Sequence, residues 1–164
     1  MMKILLRKMT PCEFENFCAC SAKAYAADLQ NDEGISEQEA LAQALQELKS
    51  ELPQGADTPG HCLMMVVNRQ SGDVVGFLWY LYEFTEGVKQ VFLSDILIYE
   101  TERRKGFATA ALAEMERLAG RDGCKESIVY VWKHNPQGIR LYTKAGYRPL
   151  RELDGGIYLK KVLY

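Results

Sequence analysis

No stretch of the 164 residues stays apolar for long. The longest nearly apolar run, Val74–Tyr82, is nine residues and contains Gly76. A membrane-crossing helix needs about 20 such residues, so none is expected and no membrane partner is implied. The opening Met1-Met2-Lys3-Ile4-Leu5-Leu6-Arg7-Lys8 holds only three apolar residues between its cations. That is too few for the apolar centre of a secretory signal, and a cytoplasmic location is expected. Histidine occurs only at His61 and His134, so no ligand set of zinc-site spacing can be assembled, and no metal is expected. Cys12, Cys18, Cys20, Cys62 and Cys124 form an odd set, which reads as reduced thiols rather than a disulfide framework. Five prolines and 13 glycines are too few for collagen-like or low-complexity structure. A large excess of one charge is missing too. Twenty basic residues stand against 22 acidic ones, and the isoelectric point is near 5.8, which argues against a general nucleic-acid binder.

What is present is an ordinary globular composition, 48% hydrophobic and 26% charged, in a length that favours one domain over residues 1–164. Charge is divided along the chain. Residues 1–100 carry 7 basic and 15 acidic side chains, net −8, and residues 101–164 carry 13 and 7, net +6. The division reads either as solvated charge or as a C-terminal half that meets an anion, with an N-terminal half suited to a cation.

Local signals alternate between two periods. Met2–Arg7 reads as a first strand. Thr10-Pro11-Cys12-Glu13 carries a capping box and a first-turn proline, opening a helix that buries Phe14, Phe17, Cys18, Ser21, Ala24 and Tyr25. Ser36–Glu39 repeats the box before a stripe of Leu41, Ala44, Leu45, Leu48 and Leu52. Residues 53–60 are loop. Leu63–Val67, Val74–Phe84 and Val91–Ile98 read as strands, the first two joined by a hairpin. A helix from Gly106 to Arg121 and a strand Ser127–Trp132 follow, so Val91–Trp132 is strand–helix–strand, the arrangement of a parallel crossover. Asn135-Pro136 opens a last helix that Gly146 closes, and a hairpin about 154–156 finishes the chain. This is one α/β domain on a mixed sheet.

The chemistry concentrates at Arg103-Arg104-Lys105-Gly106-Phe107-Ala108-Thr109, between a strand and a helix. The first N–H groups of a helix lack internal acceptors and carry the positive dipole end, which makes a cradle for an anion. Gly106 lets an anion approach the backbone, Ala108 keeps the turn narrow and Thr109 adds a hydroxyl. The same spacing also suits a plain basic turn before an amphipathic helix. It is neither the Walker loop nor the dinucleotide glycine pattern.

Arg103-x-x-Gly106-x-Ala108 resembles the coenzyme A pyrophosphate loop of the GNAT superfamily of N-acetyltransferases. Ser94-Asp95-Ile96-Leu97-Ile98 is placed like that family's central strand. Asn135, then Leu141-Tyr142-x-x-x-Gly146-Tyr147, is similar to its second motif. In this chain the usual Arg-Gly of the loop is Arg-Lys, with glycine only at Gly106. The resemblance implies a mixed, mostly antiparallel twisted sheet of about seven strands with four helices and a parallel, splayed central pair. It also implies a coenzyme A-binding core over 91–150, and acetyl-CoA as cosubstrate for direct transfer to an amine. Backbone groups near Leu97 and Ile98 would bond the pantetheine, Arg103 to Thr109 would hold the pyrophosphate, and Tyr142 would protonate the departing thiolate. A homodimer is left open.

Asn135 and Tyr142 are seven residues apart, within about 20° of one helix face, so Tyr142 aims toward the strand ends. Asn135 is first a helix cap and second a contact to the coenzyme or to a water. An amine acceptor with a pKa near 10.4 must lose a proton. Asp95, Glu83 and Glu100 are the candidate bases, with Asp95 favoured because it interrupts an apolar strand. Trp79, Tyr80, Tyr82 and Phe84 read as core or as a wall of the acceptor cleft, and Asp28, Asp32 and Glu33 as a lure for a cationic acceptor. Two other readings stand beside the enzyme: a non-catalytic acyl-CoA-binding sensor, and a nucleotide-binding α/β protein.

Overall fold

The structure, a computed structural model, describes residues 3–164. They divide into two compact units. One runs through Lys8 and resumes from Cys62 to Tyr164, and the other spans Met9–His61.

Met9–His61 is a helical hairpin. α1 (Pro11–Glu33) starts at Thr10, whose hydroxyl accepts from the Glu13 N–H at 3.2 Å while the Glu13 carboxylate accepts from the Thr10 N–H at 2.9 Å. Gly34, left-handed at φ 68°, ends it by donating to the Gln30 carbonyl. α2 (Glu37–Glu51) repeats the reciprocal cap with Ser36 and Glu39. Ala22, Ala26 and Leu29 of α1 cluster with Ala40 and Ala44 of α2. The buried faces therefore differ from expectation. Ala24 is exposed, and Leu41 and Leu45 stand 40% and 47% exposed where a leucine stripe is expected. Alanines let two helix backbones approach closely, and a reading weighted toward large apolar side chains misses such a seam. Thr10→Ala should cost about 1 kcal/mol, read as a lower urea midpoint at an unchanged slope.

The other unit is built on one sheet. Its strands are β1 (Ile4–Lys8), β2 (His61–Asn68), β3 (Val74–Thr85), β4 (Val88–Ile98), β5 (Glu126–Trp132), β6 (Arg148–Glu152) and β7 (Gly156–Val162), with α3 (Phe107–Arg121) and α4 (Pro136–Lys144) in the connections. Spatial order is β1-β2-β3-β4-β5-β7-β6. β4 and β5 run parallel through the α3 crossover, while β1–β2, β3–β4, β5–β7 and β7–β6 are antiparallel. This is the expected mixed seven-stranded sheet. The first strand begins at Ile4, and Met2 lies outside the described residues. Leu78, Tyr80, Val91 and Leu93 of the sheet pack with Phe107, Leu112 and Met115 of α3, and burial of this face holds the crossover down. Gly76 sits opposite Ile98, so close to β4 that a Cβ there would run into the Leu97 carbonyl oxygen. At the far edge every residue of β6 is exposed, and its register with β7 slips between Pro149 and Arg151.

Candidate functional site

The site begins where two strands part. β4 and β5 pair only from Gln90–Leu93 to Glu126–Val129. Beyond Leu93, β4 stays with β3, and beyond Val129, β5 stays with β7. Trp79 faces Asp95 but Tyr80 faces Leu93, so Ser94 is an extra residue in β4. Such a bulge bends its strand and resets the alternation of side chains. Leu93, Ile96 and Ile98 therefore all pack on the core side, and Asp95 and Leu97 stand on the opposite face.

The bulge also decides which backbone groups face the gap. Tyr99 N–H donates to the Val75 carbonyl at 2.9 Å. In an antiparallel ladder bonded pairs alternate with unbonded ones, so Leu97 directs its backbone toward Phe77, and Ile96 and Ile98 direct theirs into the gap. The Ile98 carbonyl accepts from Arg103 Nε at 3.0 Å. Of the two residues named from the sequence, Ile98 directs its backbone into the gap and Leu97 directs its own toward β3, while Ile96, not named there, also faces the gap. A one-residue bulge has no periodic signature that would have found it.

Next to the gap, residues 100–102 form a short 3-10 turn, and Arg103 folds back onto Ile98. Arg104 takes a positive φ of 63° and Gly106 one of 84°. The arginine bears the cost of a left-handed conformation, which for residues other than glycine is of order 1–3 kcal/mol and collects at functional loops. Gly106 is the N-cap of α3 and supplies no side-chain cap. Helical bonding starts at Ala110, which donates to the Gly106 carbonyl, and the N–H groups of Phe107, Ala108 and Thr109 precede it. Phe107 is buried, so only its backbone is available to a ligand. Thr109 is exposed, and Lys105 pairs with Glu102 at 3.0 Å. The loop thus brings the start of α3 and the basic side chains of Arg103, Arg104 and Lys105 to one place.

Across the gap stands α4. Asn135 caps it by accepting from Gly138 N–H at 3.0 Å. A Cβ on Gly138 would meet Asn135 Nδ2 at 2.6 Å, so a side chain there would push against the capping amide. Tyr142 is 7% exposed and packs edge-on against Tyr147 at 5.7 Å. Burial, and then the charge of Asp95, push its phenol above the ordinary value. The carboxylate and the phenol that the sequence singles out, 47 residues apart, thus feel each other across the parted strands. Tyr147 lies deeper, its hydroxyl 2.6 Å from Ser127 Oγ, beside the Lys161–Glu116 ion pair at 2.6 Å.

The other candidates disperse. Glu83 accepts from Gln90 Nε2 at 2.7 Å, at the closed end of the β4–β5 pair, and Glu100 is exposed in the 3-10 turn. Trp79 and Tyr80 are core, Tyr82 donates to Asp122 at 2.9 Å and Phe84 is 71% exposed. Asp28, Asp32 and Glu33 lie in the last turns of α1. The five cysteines are free thiols. Among the described residues no cluster of histidine, cysteine and carboxylates could hold a metal, and no helix is long and apolar enough to cross a membrane.

Buried phenols set an alkaline limit. Burial is the largest cause raising Tyr80, Tyr142 and Tyr147 above their ordinary value. Unfolded tyrosines ionise near pH 10 while these stay protonated, so above that pH the unfolded chain holds fewer protons. The stability they contribute is fully present below about pH 10 and is lost as pH rises beyond it. Melting temperatures followed from pH 8 to 11 should drop steeply only in the last unit.

Comparison with known proteins agrees with this arrangement. Residues 24–147 match the acetyltransferase (GNAT) family. The chain is 29% identical over 147 residues to YycN of Bacillus subtilis, named an uncharacterized N-acetyltransferase, with 90% of this chain and 94% of that one covered. The YycN crystal structure superposes with a TM-score of 0.85 at 27% identity, covering 92% and 95%. The PaiA N-acetyltransferase of Thermoplasma acidophilum in complex with coenzyme A gives 0.71 at 17%, covering 98% and 99%. The spermidine N-acetyltransferase of Vibrio cholerae with CoA and spermine gives 0.67 at 13%, covering 98% and 95%. The last two show a shared fold. With the profile running through the parted strands, the loop and the helix behind them, the chain belongs to the GNAT acetyltransferase family.

Proposed function

We propose that this protein transfers the acetyl group of acetyl-CoA directly to a primary amine. The observation that carries the reading is the parting of β4 and β5 beside a glycine-started helix, with a buried tyrosine and a carboxylate electrostatically coupled at the gap. When bound, the coenzyme supplies the acetyl group as a thioester. Gly106, Phe107, Ala108 and Thr109 present N–H groups to the diphosphate, and Arg103, Arg104 and Lys105 supply charge around it. Ile96 and Ile98 offer backbone bonds to the pantetheine arm, and Asn135 holds the start of α4 against the same gap.

Asp95 accepts the amine proton, directly or through one water. Deprotonating an amine of pKa near 10.4 at neutral pH costs about 4–5 kcal/mol, so an acceptor at hand matters. Tyr142 keeps its own proton throughout the working range because its phenol is raised. It passes that proton to the sulfur as the carbon–sulfur bond breaks and the carbon–nitrogen bond forms. The net −8 of residues 1–100 suits a cationic acceptor.

A thiol-release assay with acetyl-CoA and a panel of amines tests the reading. Turnover with at least one amine, favouring cationic ones, is expected. Binding of coenzyme A with no turnover on any amine would leave a sensor, and thermal stabilisation by ATP or NAD alone would point to a nucleotide binder. Asp95→Asn should flatten the acid limb of the pH–rate profile, and an unchanged profile clears Asp95 of the base role.

A further inference from the structure

The amino-terminal lysine reaches the pyrophosphate loop from the other end of the chain. Lys3 precedes β1, and its carbonyl accepts from the Arg69 N–H at 3.1 Å. Arg69 Nε also donates to the Ile4 carbonyl at 3.1 Å. The strand is thereby pinned to the turn after β2, and the lysine side chain is delivered to a fixed place. There the Lys3 ammonium donates to the Lys105 carbonyl, 102 residues away. The same ammonium lies 5.1 Å from the centroid of the Phe107 ring, and a Cβ on Gly106 would stand 3.6 Å from it. The carbonyl, the ring and the bare α-carbon together form its seat.

We propose that Lys3 is a positioning residue for the coenzyme diphosphate. A trans peptide points its C=O and N–H in opposite directions. By holding the Lys105 carbonyl, the ammonium keeps the Gly106 N–H aimed away from itself, toward the side from which an anion enters. A charged donor on that carbonyl also polarises the peptide and strengthens the N–H as a donor. Arg104 and Gly106 both hold left-handed conformations, and the external tie keeps the loop in that shape before any ligand arrives. Less ordering is then left to be done on binding. The inference rests on the acetyl-CoA reading of the loop.

Titration calorimetry with coenzyme A on the full chain tests it, using wild type, Lys3→Met and Lys3→Arg. The methionine keeps the stem over Phe107 and loses the donor. Its affinity for coenzyme A should fall about tenfold, the size of one charge-assisted contact. The melting temperature of the free protein should stay within about 2 °C. Lys3→Arg should return the affinity to within about threefold of wild type. With an amine found, the methionine variant should raise KM for acetyl-CoA and leave kcat unchanged. Equal affinity of wild type and Lys3→Met overturns the proposal. So does a weakened Lys3→Met that Lys3→Arg fails to rescue and whose melting temperature falls by about 5 °C or more, since that is general damage. A wild type that does not bind coenzyme A overturns the acetyl-CoA reading itself, and the Lys3 inference with it.

Discussion

Tyr142→Phe should slow acetyl transfer by about 10²-fold, with KM for acetyl-CoA within about threefold of wild type. The substitution removes one oxygen from a side chain that is 7% exposed and packed edge-on against Tyr147. The ring contact survives, so the fold should be intact and the melting temperature near that of wild type. What disappears is the proton that the proposed mechanism passes to the departing sulfur. A thiol of pKa near 8.5 is already a fair leaving group, which limits the loss to the low end of acid catalysis. A hundredfold is about 2.7 kcal/mol of barrier. Steady-state rates measured from pH 6 to 9 decide the matter, and a variant within twofold of wild type takes Tyr142 out of the chemistry.

Gly76→Ala should destabilise the protein by about 2 kcal/mol or more, against the usual sign of that exchange. Replacing glycine by alanine inside a regular element normally gains about 0.5–1 kcal/mol, because glycine loses more freedom on folding. Here the added carbon would run into the Leu97 carbonyl oxygen and stand 3.0 Å from the Ile98 α-carbon. Those atoms are backbone and cannot rotate away, so β4 itself must move, and overpacking of this kind costs about 1–3 kcal/mol. The displacement is directed at Ile98, one of the residues whose backbone faces the gap. Weaker coenzyme A binding should therefore accompany the lower urea midpoint. A variant as stable as wild type would mean that β3 and β4 separate more easily than their register suggests.

The elements that carry strong local punctuation were legible in the sequence. Thr10 with Glu13 and Ser36 with Glu39 mark helix starts by chemistry within four residues, and both caps form as written. Asn135-Pro136 marks α4 in the same way. The strand–helix–strand run, whose periods switch from two to 3.6, gives the parallel crossover. What escaped depends on contacts between distant segments. Whether Leu41 or Ala40 faces α1 is settled by how closely two helices approach. The extra residue at Ser94 is settled by the pairing of β4 with β3. Asp95 was marked by interrupting an apolar strand and Tyr142 by the family resemblance, but no spacing rule joins residues 47 apart, so their electrostatic reach of each other was not legible. Lys3 was invisible for the same reason, since nothing in a lone lysine before a strand announces a carbonyl at residue 105.

The outer margin of the sheet bears on self-association. A free strand border ordinarily offers its unused amides and carbonyls to a second molecule, and growth of that kind ends in polymers. In β6, Pro149 has no amide to give, the register slip at Leu150 throws the ladder out of step, and Arg148 and Arg151 place like charges along the rim. A copy approaching edge to edge would meet a ladder out of step. Concentrated solutions of this protein should therefore resist fibril formation from that side.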